Sequence, residues 1–268
     1  MIKAVFIDID ETLVNSNREV TPKTMQEIKR CVQKGIKIIL ASGRSRKEAI
    51  EYQKEIGASP YIISSNGASA YDATKQVEIY NEVLPKKIAN KLLDYSIEND
   101  YKINLNYKDE LVLNTAFYPD EKDKEKSVDE LKLIIENEDI VQCVVSNPDF
   151  EKMLKFREYL NENFKETKIV NESKRFKDKD LKPSRNYYCD ITSSKVSKGN
   201  AVKKICEYLK LEKDEIIVIG DGENDLSMFE ETPNSVAMRN GIQIVKQKAK
   251  EITLSNDEDG VAKVLEKL

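Results

Sequence analysis

Short apolar segments alternate with helical patterns at the start of this chain, and this order is the feature that most constrains its fold. Three apolar segments with little polar alternation are predicted to be strands buried on both faces: 2–8, 36–41 and 61–64. Two segments between them are predicted to be helices: 22–34, after the helix-start signal Thr21-Pro22, and 45–56. A β-α-β-α-β order with such short links predicts a parallel sheet covered by helices.

The pattern is interrupted after the third strand and resumes near the C-terminus. A predicted hairpin over 70–80 is followed by a more charged region. That region is predicted to contain helices over 86–99, 123–137 and 149–163 and strands over 102–107, 111–115 and 140–145. Strands and helices alternate again from 186–191 onward, with a buried strand at 215–219. We therefore predict an α/β fold. Its Rossmann-like parallel-sheet core domain spans 1–83 and 186–268, and an inserted α+β domain spans 84–185, with 172–185 as the return linker.

The composition excludes several classes of protein. The 268 residues include no histidine, which excludes Ser-His-Asp hydrolases, histidine phosphatases and histidine-ligated zinc. The net charge of −4, from 44 basic and 48 acidic residues, gives no reason to expect nucleic acid. The four cysteines lie far apart and predict neither a zinc site nor disulfides. No apolar segment approaches the roughly 20 residues of a membrane helix, and the N-terminal apolar run is too short for a signal peptide, so we expect a cytoplasmic protein.

Polar loops follow the predicted strands of the core domain. Ligands of open α/β sheets bind beyond the carboxyl ends of the strands, so we expect the active site in these loops. The loops contain Asp8 and Asp10, then Ser42-Gly43-Arg44, then Ser65-Asn66-Gly67, and finally the stretch from Gly220 to Asp225, while Lys198 begins the helix before that last strand. Their glycines let backbone N–H groups approach an anion.

The side chains of these loops match the needs of phosphoryl transfer. Converging carboxylates stay ionised only beside a cation, and oxygen ligands without histidine or cysteine suit Mg²⁺ better than zinc. Lys198 and Ser42 supply further donors to a phosphoryl group. We predict that Asp8 attacks phosphorus, and that Asp10 protonates the leaving oxygen and later deprotonates water.

Four motifs in order make the chain similar to the haloacid dehalogenase superfamily, specifically its Cof-type phosphatases. They are DIDET at 8–12, ILASGR around Ser42, VSKGNAV around Lys198, and GDGENDLSM with Asp221 and Asp225. The resemblance implies that Asp8 is the nucleophile and a Mg²⁺ ligand, and that Asp10 is the acid/base and a ligand through its backbone carbonyl. It also implies that Asp221 completes the metal site directly and Asp225 indirectly, and that Lys198 is catalytic. The implied phosphate site is formed by Ser42, Gly43 and Asn224.

The position of the insertion distinguishes subclasses of this family. An α+β insertion between the second and third motifs resembles the larger cap of the Cof group. This implies that 84–185 closes over a small phosphorylated metabolite, such as a sugar phosphate or a nucleotide or cofactor phosphate. Candidate cap residues, none favoured over its neighbours, are Tyr101, Asn104, Asn106, Tyr107 and Arg157. Arg44 and Asn66 are possible substrate contacts in the core loops. For Arg44 a role as a helix cap is equally expected, and for Asn66 a role as a turn residue is equally expected.

Two departures from the family pattern are visible. Glu11 stands where a glycine is common, and Arg239-Asn240-Gly241 stands where Gly-Asn-Ala is usual. The alternatives that stay open are a phosphotransferase on the same core and a non-catalytic metabolite-binding regulator. A calcium loop is disfavoured because neither acidic loop has glycine at the sixth position. We expect a monomer or weak homo-oligomer with no membrane partner.

Overall fold

The computed structural model describes residues 1–108, 110–116, 119–172 and 186–268. The strands are β1 Ala4–Ile7, β2 Lys37–Ala41, β3 Tyr61–Ser64, β4 Ser69–Asp72, β5 Val77–Asn81, β6 Lys102–Tyr107, β7 Glu110–Leu113, β8 Gln142–Asn147, β9 Thr167–Glu172, β10 Tyr187–Ser193, β11 Ile216–Gly220, β12 Ser235–Ala237 and β13 Glu251–Ile252. The helices are α1 Pro22–Gln33, α2 Arg46–Ile56, α3 Lys86–Glu98, α4 Val128–Asn137, α5 Phe150–Asn163, α6 Lys198–Leu209, α7 Leu226–Phe229, α8 Gln243–Lys248 and α9 Gly260–Leu265.

The chain forms two compact units, Met1–Asn81 with Ser197–Leu268, and Glu82–Val196. The first unit is built on one sheet with the strand order β13-β12-β11-β1-β2-β3-β4-β5. Its strands run parallel from β13 to β3, and the hairpin of β4 and β5 adds two antiparallel strands at one edge. The predicted α/β fold with a parallel-sheet core is confirmed.

Apolar side chains fill both faces of the first unit's sheet. On β1, Val5 and Ile7 pack in one apolar cluster and Ala4 and Phe6 in the other, and all four are fully buried. Helices α1, α2 and α9 contribute to the first cluster, whereas α6, α7 and α8 contribute to the second. This two-sided burial explains the unbroken apolar runs of the sequence, and it leaves the strand ends as the place for polar groups.

The second unit contains an antiparallel sheet with the strand order β7-β6-β8-β10-β9. Alternate residues of its strands, such as Ile103 and Leu105, join side chains of α3, α4 and α5 in one apolar cluster. The intervening residues of β6 are Lys102, Asn104 and Asn106, so the opposite face is polar at this strand, although Leu113 and Val144 of the paired strands lie beside Asn104.

One predicted domain boundary is wrong. The sequence pattern places the segment 186–191 in the core domain, but β10 pairs with β8 and β9 in the sheet of the second unit. The chain therefore returns to the first unit at Ser197, and it leaves that unit after Asn81 rather than at 83. A short apolar strand carries no mark of the sheet it joins, which is why the pattern alone misassigned it. The predicted linker 172–185 begins at Glu172, which ends β9, and its remainder lies outside the described residues.

Two further elements of the second unit differ from the prediction. Strand β9 was not predicted. The helix predicted over 123–137 begins at Val128, because Ser127 and Glu130 form a capping box in which each side chain accepts from the other residue's backbone N–H. None of the helices in the described part of the chain combines the length and the apolar composition that a membrane crossing requires.

Candidate active site

The loop after β1 carries the first two predicted catalytic carboxylates. Asp8 is buried, with 6% of its surface exposed, and its N–H donates to the carbonyl of Ile219 on β11. A π-type turn over Ile9–Leu13 follows, in which Glu11 adopts a left-handed φ of 59°. Glycine adopts that conformation without strain, which gives a physical reason for the glycine common at this position in the resembling family.

Lys198 joins two of the carboxylates. It is the first residue of α6 and is fully buried. Its Nζ donates to Asp8 Oδ1 at 2.5 Å and to Asp225 Oδ1 at 2.6 Å. The other oxygen of Asp225 accepts from the N–H groups of Asp221 and Gly222, each at 3.0 Å. Both oxygens of Asp225 are therefore engaged by the protein itself.

The pKa values at this cluster follow from burial and from neighbouring charges. Burial raises the pKa of Asp8 well above its ordinary value, and Asp225 and Asp221 add to the rise although Lys198 opposes it. Burial and Asp225 raise the pKa of Asp221 to about 7. Burial disfavours the charged form of Lys198, but Asp225 and Asp8 outweigh it and raise the pKa of the lysine. One lysine therefore does not neutralise three buried carboxylates.

These carboxylates fit a divalent cation. Oxygens of Asp8, Asp221 and Asp225 lie within 4.8 Å of one another. All three groups are hard oxygen donors with excess negative charge, which a cation such as Mg²⁺ relieves. Thr12 donates its hydroxyl to Asp221 Oδ1 at 2.8 Å and so orients this carboxylate. A buried Asp cluster of this kind can hold a metal ion.

The Asp10 carboxylate is not part of this cluster. Arg44 donates two hydrogen bonds to it, from Nε to Oδ2 at 2.9 Å and from Nη2 to Oδ1 at 2.7 Å. The guanidinium also lies 5.0 Å from the ring centroid of Tyr52. The Asp10 side chain is 52% exposed, so this carboxylate is open to solvent, unlike the three buried carboxylates.

The predicted phosphate-binding loops converge at the same edge of the sheet. Ser42 is fully buried, and its Oγ accepts from the N–H of Arg44 at 3.2 Å. Asn66 donates its N–H to the carbonyl of Ser42 at 3.0 Å. The Nδ2 of Asn224 donates to Asn66 Oδ1 at 3.0 Å. The loops after β2, β3 and β11 are thus hydrogen-bonded into one assembly.

Two positioning side chains were not singled out from the sequence. Thr12 lies inside the first motif, which could have indicated its role. Asn240 donates Nδ2 to the carbonyl of Glu11 at 2.7 Å, and its Oδ1 accepts from the N–H of Asn256 at 3.0 Å. The stretch Arg239-Asn240-Gly241 departs from the family pattern but keeps an asparagine. The hydrogen bonds of that asparagine hold the loop after β1 in place.

The five candidate cap residues fall into two groups. Tyr101 donates its hydroxyl to the carbonyl of Lys152, and Arg157 pairs with Glu172 at 2.8 Å. Tyr101 and Tyr107 pack with the apolar cluster of the second unit. Asn104 and Asn106 lie on the face of the sheet opposite the apolar cluster and are buried. Their Oδ1 atoms, like the Oγ of Ser146 on β8, have no hydrogen-bond partner among the described residues.

Comparisons with known proteins agree with this geometry. The family model of the haloacid dehalogenase-like hydrolases matches residues 5–265. Phosphatase YwpJ of Bacillus subtilis is 26% identical over 291 residues, covering 100% of both chains. The 5-amino-6-(5-phospho-D-ribitylamino)uracil phosphatase YwtE of the same organism is 26% identical over 286 residues, covering 100% of this chain and 98% of that one. The solved structure of TM0651 from Thermotoga maritima has a TM-score of 0.83 and 27% identity, covering 100% of this chain and 98% of that one. The chain therefore belongs to the haloacid dehalogenase-like hydrolase family, as one of its phosphatases.

Proposed function

We propose that this enzyme is a Mg²⁺-dependent phosphatase that hydrolyses small phosphorylated metabolites through an aspartyl-phosphate. The observation that carries the proposal is the buried cluster of Asp8, Asp221 and Asp225 around Lys198. Such a cluster combines a carboxylate nucleophile with a buried lysine cation, and its excess negative charge suits a divalent metal that would add positive charge for a phosphoryl group.

In the first step, a carboxylate oxygen of Asp8 attacks phosphorus, and the bond from phosphorus to the ester oxygen breaks. Asp10 protonates the departing oxygen. In the second step Asp10 takes a proton from water, whose oxygen attacks the acyl phosphate and releases inorganic phosphate and the Asp8 carboxylate. Because Arg44 holds Asp10 in this structure, the proton transfers require Asp10 to exchange that ion pair for the substrate.

The protein's own groups serve this chemistry in distinct ways. Lys198 favours the ionised form of Asp8 against the effect of burial and neutralises charge on the phosphoryl group, while Ser42, Gly43 and Asn224 bind the phosphoryl oxygens. Mg²⁺ would be held by Asp8, by Asp221 and by the backbone carbonyl of Asp10. When bound, it supplies charge neutralisation at the phosphoryl oxygens. Asp225, whose oxygens are engaged by Lys198 and by backbone, acts indirectly through those contacts.

The second unit is proposed to select the substrate. The Oδ1 atoms of Asn104 and Asn106 and the Oγ of Ser146, which have no partner within the described part of the chain, suit a ligand rich in hydroxyl or N–H donors. The name of the relative YwtE specifies a phosphorylated ribityl compound as its substrate, which is a ligand of this kind. We therefore propose a polyhydroxylated metabolite phosphate as the substrate class.

Phosphate release from a panel of sugar, nucleotide and cofactor phosphates tests the function. The wild type is assayed with Mg²⁺ and with chelator, beside Asp8→Asn. The matched control is Asp214→Asn, which makes the same change at an exposed position. We expect turnover that needs Mg²⁺, survives in the control and falls at least about 10³-fold in Asp8→Asn. Equal release by wild type and Asp8→Asn would refute the mechanism. Binding without turnover would indicate a regulator, and transfer to a sugar acceptor would indicate a phosphotransferase.

A further inference from the structure

The turn after β3 has an unusual backbone. Three consecutive residues, Ser65, Asn66 and Gly67, have positive φ values of 49°, 57° and 96°. The left-handed conformation costs roughly 1–2 kcal/mol for an ordinary residue, and asparagine is among the residues that tolerate it best. The turn is buried, and Asn66 is only 1% exposed. A backbone of this kind persists only where its surroundings hold it in place.

The Ser65–Gly67 turn is bonded to the loop after β2. Ser65 donates its N–H to the carbonyl of Arg44 at 2.8 Å, and Asn66 donates its N–H to the carbonyl of Ser42 at 3.0 Å. The Asn66 amide also lies against Gly43, where an added Cβ would be 3.0 Å from Asn66 Oδ1. The side chain of Asn66 therefore sets how closely the Ser42-Gly43 backbone approaches.

The same turn contacts two more loops. Asn66 Oδ1 accepts from Nδ2 of Asn224, in the loop after β11, at 3.0 Å. Gly67 packs on the residues that begin α6, since a Cβ there would lie 2.3 Å from the carbonyl oxygen of Ser197 and 2.6 Å from the nitrogen of Lys198. One three-residue turn thus touches the loops of Ser42, Lys198 and Asn224.

We infer that Asn66 is a positioning residue that holds the phosphate-binding loops in register, and that it acts through Gly43 and Asn224 rather than by touching the substrate. This inference rests on the proposed function for the identity of the ligand, a phosphoryl group. It assigns Asn66 a role different from the substrate contact that the sequence suggested. Because the turn is held by backbone bonds, removing the amide alone should leave the fold intact while the loops lose their register.

The test begins with Asn66→Gly, which deletes the amide but accepts the positive φ. Lys210→Gly is the matched control, because Lys210 also has a left-handed φ, of 55°, at the end of α6. We expect both variants to keep the wild-type Tm within a few degrees. Asn66→Gly should lower kcat/KM by about 10- to 100-fold and weaken the binding of orthovanadate with Mg²⁺ at least about tenfold, and Lys210→Gly should do neither.

A double substitution separates positioning from direct contact. Gly43→Ala introduces a methyl group against the Asn66 amide, so it should impair activity in the wild type but impair it less in the Asn66→Gly background. Additive effects, or unchanged activity and vanadate affinity in Asn66→Gly, would overturn the inference. Vanadate affinity does not require turnover, so it tests Asn66 even if the proposed phosphatase activity fails. A wild type that binds no vanadate would overturn both.

Discussion

In the first unit, the buried polar side chains at the carboxyl edge of the sheet bond to one another, whereas several polar atoms on the sheet of the second unit have no partner among the described residues. Lys198 joins Asp8 to Asp225, and Thr12 is bonded to Asp221. On the second sheet, the Oδ1 atoms of Asn104 and Asn106 and the Oγ of Ser146 are unpartnered.

The difference follows from strand direction. Parallel strands bring the loops at their carboxyl ends together from distant parts of the chain, so oppositely charged side chains can meet there. Neighbouring antiparallel strands instead line up side chains across one face, and the residues paired with Asn104 there are Leu113 and Val144, whose side chains offer no hydrogen bond. An unpaired buried group costs about 1–3 kcal/mol. We infer that the carboxyl edge of the first unit's sheet is organised before any substrate binds. On the sheet of the second unit, a ligand is needed to complete the hydrogen bonds of the unpartnered polar atoms.

Removing the lysine that joins Asp8 to Asp225 should have the largest effect on stability and activity. Lys198→Met leaves two buried carboxylates without their cation, so we expect the free energy of unfolding to fall by about 3–5 kcal/mol and phosphatase turnover to fall at least about 10³-fold. Urea unfolding in chelator and phosphate release measure the two effects. Lys204→Met, in the same helix but in an exposed pair with Glu207, is the control and should match the wild type. An unchanged urea midpoint for Lys198→Met would show that the cluster does not depend on its cation.

The excess charge of the same cluster predicts how stability responds to pH and Mg²⁺. The pKa of Asp221 is raised from 3.8 to about 7, and that of Asp8 is raised as well. The contribution of Asp221 to the stability of the metal-free protein is therefore fully present below pH about 4 and is lost as the pH rises through about 7, and the contribution of Asp8 changes in the same direction. Mg²⁺ needs the ionised carboxylates, so its stabilising Tm shift should be larger at pH 8 than at pH 5.

Thermal unfolding with MgCl₂ and with chelator across this range provides the measurement. In chelator, Asp221→Asn should show a flatter dependence of Tm on pH than the wild type, because the titrating carboxyl is gone. The same Mg²⁺ shift at both pH values would contradict a cation site built from these aspartates.

A smaller effect, on KM, is expected when an asparagine of β6 in the second unit is replaced. Asn106→Ala should raise KM for a polyhydroxylated metabolite phosphate by about 5- to 50-fold, because a ligand donor loses its acceptor. KM for p-nitrophenyl phosphate, whose leaving group has no such donors, should change less than about twofold. Ser96→Ala is the control, since Ser96 Oγ is also buried and unpartnered among the described residues but lies on α3. Equal changes for both substrates would argue against recognition by this asparagine.

The smallest effects on stability should come from two ion pairs that are open to solvent on at least one side. Arg44 contacts Asp10 at 2.7 and 2.9 Å, and Arg239 contacts Glu258 at 3.0 and 3.1 Å. Replacing either arginine by glutamine should lower Tm by less than about 2 °C, because solvent screens both pairs. Only Arg44→Gln should change kcat, raising it by up to roughly tenfold, because Asp10 then no longer has to break an ion pair before it reaches the substrate. A similar change of kcat in Arg239→Gln would show that the effect does not depend on the ion pair with Asp10.

The convergence of the catalytic loops was predictable because it depends on patterns written locally in the chain. Apolar runs ended by polar residues mark the carboxyl ends of parallel strands, and such ends share one edge of the sheet. This reasoning correctly brought Asp8, Lys198 and Asp225 together. The orientation of Asp10 was not predictable, because its ion pair with Arg44 joins two loops whose residues are 34 positions apart in the chain.

The types of the main elements, the discontinuous plan of the chain and the set of loops that meet follow from the amino-acid order alone, since periodicity and the order of elements along the chain are local properties. Long-range packing, by contrast, sets the pairing of β10 with β8 and β9, the ion pair of Asp10 with Arg44, and the contacts of the Ser65–Gly67 turn with three other loops. Each of these depends on the distance between residues far apart in the chain. A short strand or a polar side chain can satisfy its hydrogen bonds with many partners, and packing selects one of them.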